Sequence, residues 1–255
     1  MGKTSYDRLL SDLLAKVKGT EHEGYLVEMR ERYIFLLDRM GRDLSRGDRV
    51  LDAGSSPGLF TQLMRGAGYE ASGIDLHPDK RFPPAVGNTE MNLFLDLGIP
   101  VVKSDIVNEP FPFRNEAFDA VMMNETIEHL FGSPLPCMKE IRRVLKPGGL
   151  LYMTTPNVSQ LANRIKFLFG QNIYTPVEVL VNVPPYKCHS REYTMSDLVD
   201  LVERAGFSIV DREFYNFRGR PRGGPWDVAR KLYYAATAVM PSGKSNLFIA
   251  AVPGL

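Results

Sequence analysis

The sequence predicts an α/β fold built on a parallel sheet, and three observations carry that expectation. Strand-like and helix-like segments alternate from Val50 to Pro156, an order that implies parallel strands joined by right-handed crossovers. Three of the strand-like runs end in an acid, at Asp52, Asp75 and Asp105. The first run passes straight into a glycine-punctuated turn, Ala53-Gly54-Ser55-Ser56-Pro57-Gly58, and a helix start at Leu59. A strand, a tight loop and a helix in that order bind a nucleotide-like ligand at the carboxyl end of a parallel strand.

Two helices come before the sheet. Residues 4–18 carry an apolar stripe at Leu9, Leu10, Leu13, Leu14 and Val17, and residues 25–40 carry one at Leu26, Met29, Tyr33, Leu36 and Leu37, both at helical spacing. Gly41 reads as the stop of the second. This pair caps the sheet or lines a pocket. In the loop after the first strand, Gly54 and Gly58 let backbone approach a ligand with no Cβ in the way. The spacing Asp-x-Gly-x-x-x-Gly, with Ser56 where a central glycine is usual, departs from the Gly-x-Gly-x-x-Gly of a dinucleotide site. An anion at Asp52 repels a pyrophosphate and suits a ligand carrying an ammonium group. An NAD(P) oxidoreductase founders on that spacing.

Ala71–Leu76 is the second strand, and a carboxylate at its end accepts ribose hydroxyls. The proline-rich run His77–Pro84 reads as a loop, with a shorter helix resuming near 89–97. Val101–Ile106 is the third strand and Phe118–Glu125 the fourth, running into Thr126-Ile127-Glu128-His129-Leu130. A helix closes at Arg142–Leu145. Lys146-Pro147-Gly148-Gly149 reads as its C-cap and turn, and Leu150–Asn157 as the fifth strand. Ser196–Ala205 reads as a helix opened by a serine or threonine cap and ended by Gly206. Phe207–Phe214 and Leu247–Val252 are the last two strands. Two insertions, Val158–Thr194 and Asn216–Lys244, break the pattern. Loops at the carboxyl ends of strands are where such folds recognise substrates, so the first insertion is the candidate acceptor lid.

Taken in register over roughly residues 45–215, these motifs resemble the class I S-adenosylmethionine (SAM) methyltransferases. The runs Asn124-Glu125-Thr126-Ile127-Glu128-His129-Leu130 and Leu145-Lys146-Pro147-Gly148-Gly149 are similar to those of ubiquinone-biosynthesis O-methyltransferases and of sugar or glycan methyltransferases. The resemblance implies a Rossmann-like seven-stranded sheet, mostly parallel with an antiparallel last strand and helices on both faces. It implies an N-terminal helical extension, residues 1–45, ahead of a methyltransferase domain over 46–255. It also implies SAM as cofactor: Asp52, Gly54, Ser55, Ser56 and Gly58 around the methionine part, Asp75 and Leu76 at the ribose, Asp105 and Ile106 at the adenine. Asn124 and Glu125, at the tip of the fourth strand, would touch the methionine end or the acceptor. The loop between Asp75 and Val101 departs from the family pattern and leaves the ribose-side wall open.

Composition narrows the class further. The 255 residues are 44% hydrophobic and 24% charged, which suits one α/β domain with peripheral additions. Lys plus Arg number 31 against 30 acids, a formal net charge of +1, so no nucleic-acid partner is expected. Cys137 and Cys188 form no Cys-x-x-Cys pair, so neither a disulfide scaffold nor a metal site is expected, and a reducing cytoplasmic setting fits. Met1–Asp7 lacks the apolar core of a signal peptide. No window approaches the roughly 18 apolar residues of a membrane span.

Methyl transfer from a sulfonium is an in-line displacement, so the protein must bind, orient and, for an alcohol, deprotonate the acceptor. Histidine is the usual base near neutral pH. His22 falls in a polar turn and His77 in the inserted loop, neither placed for catalysis. His129 lies on the first turn of a helix after the fourth strand; it faces the reacting end, or packs on the sheet. His189 opens His189-Ser190-Arg191-Glu192-Tyr193-Thr194. It is the preferred general base, with Tyr193 and Arg191 as orienting groups; the alternative is a plain helix cap with a surface ion pair. Arg218, Arg220 and Arg222 grip an anion or decorate a solvated loop. Asn163–Phe169 packs in the lid or grazes a membrane surface, and Val228–Met240 packs on the sheet or on a second copy as a homodimer. The expected function is therefore methyl transfer from SAM to a small-molecule or glycan acceptor, at oxygen. Protein or RNA methylation, and a non-catalytic SAM-binding relative, stand as alternatives.

Overall fold

The computed structural model describes residues 3–20, 22–76, 97–182, 188–217 and 225–254. The loop at His77–Pro84, the helix near 89–97 and Arg218, Arg220 and Arg222 lie outside them. Two helices, α1 (Lys3–Val17) and α2 (His22–Asp43), lead into β1 (Arg49–Ala53), α3 (Leu59–Ala67), β2 (Glu70–Asp75), β3 (Val101–Lys103) and β4 (Phe118–Asn124). Then come α4 (Leu135–Val144), β5 (Leu145–Pro156), α5 (Leu161–Leu168), α6 (Val177–Asn182), α7 (Met195–Arg204), β6 (Phe207–Tyr215), α8 (Pro225–Val239) and β7 (Asn246–Pro253). The seven strands run in the order β3-β2-β1-β4-β5-β7-β6. β1 is parallel to β2 and β4, and β2 to β3, whereas β7 is antiparallel to both β5 and β6. This is the sheet expected, with its reversed last strand.

The chain divides into two compact units, Met1–Met122 with Val144–Gly149, and Met123–Arg143 with Leu150–Leu255. In the first, α1 and α2 pack on α3 over a core of Tyr6, Leu36, Leu37, Leu59 and Met64. Three sequence expectations are corrected here. Gly41 does not stop α2, which continues to Asp43. The Tyr6 phenol donates to the Leu37 carbonyl at 3.0 Å, and a Cβ on Gly41 would sit 2.6 Å from that phenol oxygen. The glycine is therefore where α1 closes on α2. His22 is not in a polar turn: it is the first residue of α2 and is buried. Thr20 Oγ1 accepts from its N–H at 3.2 Å, and Glu23 Oε2 accepts from the Gly19 N–H at 2.8 Å. Finally, β5 starts at Leu145 and takes in the Lys-Pro-Gly-Gly run. Lys146 Nζ reaches Asp119 Oδ1 at 2.6 Å, while Asp119 Oδ2 accepts the Arg49 N–H at 2.9 Å. A Cβ on Gly149 would meet the Asp119 and Lys146 carbonyls at 3.0 Å.

In the second unit, β6 and β7 pair throughout, with one irregularity between Ile209 and Asp211. α7 opens on a reciprocal cap: the Asp197 N–H donates to Thr194 Oγ1 at 3.2 Å and the Thr194 N–H to Asp197 Oδ2 at 3.1 Å. Gly206, at φ +85°, follows its end. Arg142 joins two termini of this layer, donating Nε to the Gly206 carbonyl at 2.9 Å and Nη2 to the Gly254 carbonyl at 2.8 Å. The first insertion holds α5 and α6, and the second holds α8.

Candidate functional site

The glycine loop occupies the tip of β1 in the first unit. Gly54 and Gly58 stand at φ +81° and +87°, a region that favours glycine. The Gly54 N–H donates to the Ile74 carbonyl at 2.9 Å, and the Ser56 N–H to Asp75 Oδ2 at 2.8 Å. Gly73 makes room for this: a Cβ there would lie 2.3 Å from Ser55 Oγ. That Ser55 hydroxyl is buried without a hydrogen-bond partner. Asp52 is 3% exposed and accepts from Thr61 Oγ1 at 2.6 Å. Burial pushes its carboxyl up to about 7; the Thr61 bond opposes the rise and the Asp75 charge adds to it. A buried acid beside a bare glycine turn fits the ammonium group of a methionine moiety.

Leu76, half-buried, follows β2, and Ile106 is buried after β3. Asp105 spends much of its carboxylate locally: Oδ1 accepts from the Val107 and Asn108 N–H groups at 3.1 and 3.3 Å, Oδ2 from Asn108 Nδ2 at 3.0 Å. One buried cation of this unit went unassigned in the sequence. Arg32 on α2 is 8% exposed, beside Tyr33, whose phenol is held well above its ordinary value by burial, by Tyr25 and by Asp52, against the pull of Arg32. Tyr33 in turn stacks on Phe60 at 4.9 Å. The signal was present: a basic residue at stripe spacing between Met29 and Leu36.

At the tip of β4, in the second unit, Asn124 Oδ1 accepts from Thr154 Oγ1 at 2.7 Å. Glu125 holds φ +50°, which costs a non-glycine residue about 1–2 kcal/mol and is the kind of strain that collects at functional sites. The chain then makes one 3-10 turn, Ile127–His129, closed by the His129 N–H on the Thr126 carbonyl at 2.9 Å. The helical turn expected at His129 is thus a single 3-10 turn.

The structure brings His129 and His189 together, ring centroids 4.9 Å apart and edge to face. It adds Glu128, unassigned by the sequence although it adjoins His129. Glu128 is 1% exposed and its Oε2 accepts from Thr155 Oγ1 at 2.9 Å. His129 Nδ1 lies 3.2 Å from the Cys188 carbonyl, and His189 Nδ1 2.8 Å from Glu192 Oε1. A carbonyl partner requires the proton on Nδ1 of His129, and a carboxylate partner favours it on Nδ1 of His189. One donor atom from each of Glu128, His129 and His189 lies within 4.8 Å of the others. Carboxylate and imidazole donors whose rings are oriented by a carbonyl and a carboxylate fit a divalent cation. His189 also lines a cavity of about 670 Å³ together with Leu130, Phe131, Tyr193 and Leu201.

Residues 25–212 match the family described as a methyltransferase domain. The chain belongs to that family and is a SAM-dependent methyltransferase. It is similar to the ubiquinone biosynthesis O-methyltransferase of Cereibacter sphaeroides, 30% identical over 197 residues that cover 74% of this chain and 73% of the relative. A solved SAM-dependent methyltransferase from Archaeoglobus fulgidus shares the fold, with TM-score 0.57 at 20% identity over 89% of this chain and 98% of its own. So does Haemonchus contortus phosphoethanolamine N-methyltransferase 2 in complex with SAM, with TM-score 0.56 at 15% identity over 96% and 60%.

Proposed function

We propose that the protein methylates a hydroxyl oxygen of a small-molecule or glycan acceptor. The observation that carries this reading is His189, its Nδ1 on Glu192, opening on a cavity walled by Leu130, Phe131 and Leu201. Ser190, Arg191, Asp197 and Arg204 also line it, so a glycan fits the same cavity. The relatives named for ubiquinone biosynthesis support oxygen as the target.

SAM supplies the activated methyl group when bound. Asp52 and the turn from Gly54 to Gly58, with Ser55 and Ser56, take the methionine part, and Arg32 offers a guanidinium to its carboxylate. Asp75 takes the ribose, and Leu76, Asp105 and Ile106 the adenine. His189 Nε2 receives the acceptor proton, and the Glu192 carboxylate stabilises the imidazolium that results. His129 buttresses that ring edge to face. Residues 1–45 form a helical cap on a domain over 46–255, and the 158–194 insertion contributes the outer cavity wall through Tyr174 and Leu180.

The Glu128, His129 and His189 grouping favours a second reading of the same site. These residues would hold a divalent cation, which, when bound, acidifies an acceptor hydroxyl. Chelation separates the two. Transfer that survives EDTA supports His189 as base. Transfer lost to EDTA and restored by magnesium, manganese or zinc supports the cation. The reaction itself is tested with trideuteromethyl SAM and a panel of hydroxy-arenes. An O-linked label is expected; a label found only on nitrogen or carbon overturns the oxygen assignment.

A further inference from the structure

We infer that Thr61 is a positioning residue for the cofactor: its hydroxyl holds the Asp52 carboxylate ionised and in the orientation that meets the ammonium group of SAM. The inference rests on the reading above that Asp52 takes the methionine part. Thr61 lies in the first turn of α3, directly after the glycine loop, and is fully buried. A threonine in a helix can turn its hydroxyl back on a carbonyl three or four residues earlier. Here the Gly58 carbonyl accepts the Gln62 N–H at 2.9 Å. Thr61 Oγ1 instead donates to Asp52 Oδ2 at 2.6 Å, nine positions away on β1.

That bond does two things. A donor on a carboxylate oxygen favours the charged form of the acid. It also fixes Oδ2 against a β-branched side chain of restricted rotation, so that Oδ1 is the oxygen left for the ammonium.

The surroundings show why the hydroxyl matters. β2 sets Gly73 opposite Asp52 and carries the Asp75 carboxylate at its end. β4 sets Met122 opposite Asp52. From α2 comes Tyr33, whose phenol feels the Asp52 charge, with Arg32 next to it. On α3 the one ionisable side chain is Arg65, whose Nη1 donates to the Ala71 carbonyl at 3.1 Å. Burial acts most strongly on the Asp52 carboxyl and raises it; the Thr61 bond lowers it, and Asp75 raises it. Of these three influences only that of Thr61 favours the carboxylate.

The test is calorimetry of the full chain with S-adenosylhomocysteine (SAH) at pH 6, 7 and 8. Buffers of different ionisation heat count the protons released on binding. Wild type should release about one proton at pH 6 and almost none at pH 8. Loss of one hydrogen bond to a charged group moves that release upward by about 1–2 pH units. Thr61→Val should therefore still release about half a proton or more at pH 8, and bind SAH at least about 5-fold more weakly at pH 7. Thr61→Ala, a second variant without the hydroxyl, should do the same and decides the matter if Thr61→Val does not fold. Thr61→Ser keeps the hydroxyl and should release protons as wild type does. Wild-type proton release by either hydroxyl-free variant overturns the inference, and so does a Thr61→Ser protein that behaves like them. Wild type that binds SAH with no proton released at pH 6 instead removes Asp52 from the methionine site. Failure of wild type to bind SAH removes the methyl-transfer reading itself.

Discussion

Asp52 is a residue whose chemistry the fold alters strongly. Its carboxyl sits at about 7 where the ordinary value is 3.8, mainly through burial. A raised carboxyl keeps its proton longer in the folded chain. Its stability contribution is therefore complete below the unfolded value, declines as pH rises, and is gone above about pH 7. An ammonium group beside it favours the carboxylate. SAH should accordingly bind more tightly as pH rises through about 7, releasing a proton at pH 6 and almost none at pH 8. Calorimetry in buffers of different ionisation heat measures that proton; an equal release at both pH values would remove Asp52 from the cofactor site. Two further residues divide binding from turnover. Asp75→Ala should cost about 1–3 kcal/mol of SAH affinity, the value of a lost hydrogen bond to a charged group. His189→Ala should lower turnover at least about 100-fold with SAH affinity intact; undiminished turnover assigns the proton to another group.

Among the elements, strands were the most legible because each is a short apolar run, and the order of their acidic ends fixed the sheet. Boundaries were less so. Gly41 looked like a helix stop, but its cause is Tyr6, which lies 35 positions earlier in the chain and cannot be seen by local reading. The Lys-Pro-Gly-Gly run looked like a cap, but the Asp119 side chain draws it into β5. Glu128 escaped assignment because its partner Thr155 and its neighbour His189 come from distant segments. Glycines separate these causes by experiment. Gly24 lies within α2 with nothing within 4 Å of a Cβ. Gly24→Ala should add about 0.5–1 kcal/mol, or roughly 1–4 °C in a chain of this size. Gly73→Ala, which drives a Cβ to 2.3 Å from Ser55 Oγ, should lower both the midpoint and SAH affinity. A Gly73→Ala variant with unchanged affinity would show that the loop tolerates displacement.

For the whole molecule, the two compact units carry different groups. The first bears the glycine loop, Asp52, Asp75 and Arg32; the second bears Glu128, His129, His189 and the cavity with Tyr193. No helix among the described residues is long and apolar enough to cross a membrane. The fold and the cofactor class were readable because the loop and the acidic strand ends are local in sequence. The grouping of Glu128, His129 and His189 was only half readable, since 60 positions separate His129 from His189 and no spacing rule joins them. The most direct test of the account is thermal unfolding with SAH, with NAD as control. At about 100 times its dissociation constant a ligand adds ~2.7 kcal/mol, or roughly 5–10 °C here. The account predicts that rise with SAH and none with NAD; no rise with SAH, or a rise with NAD, would contradict it.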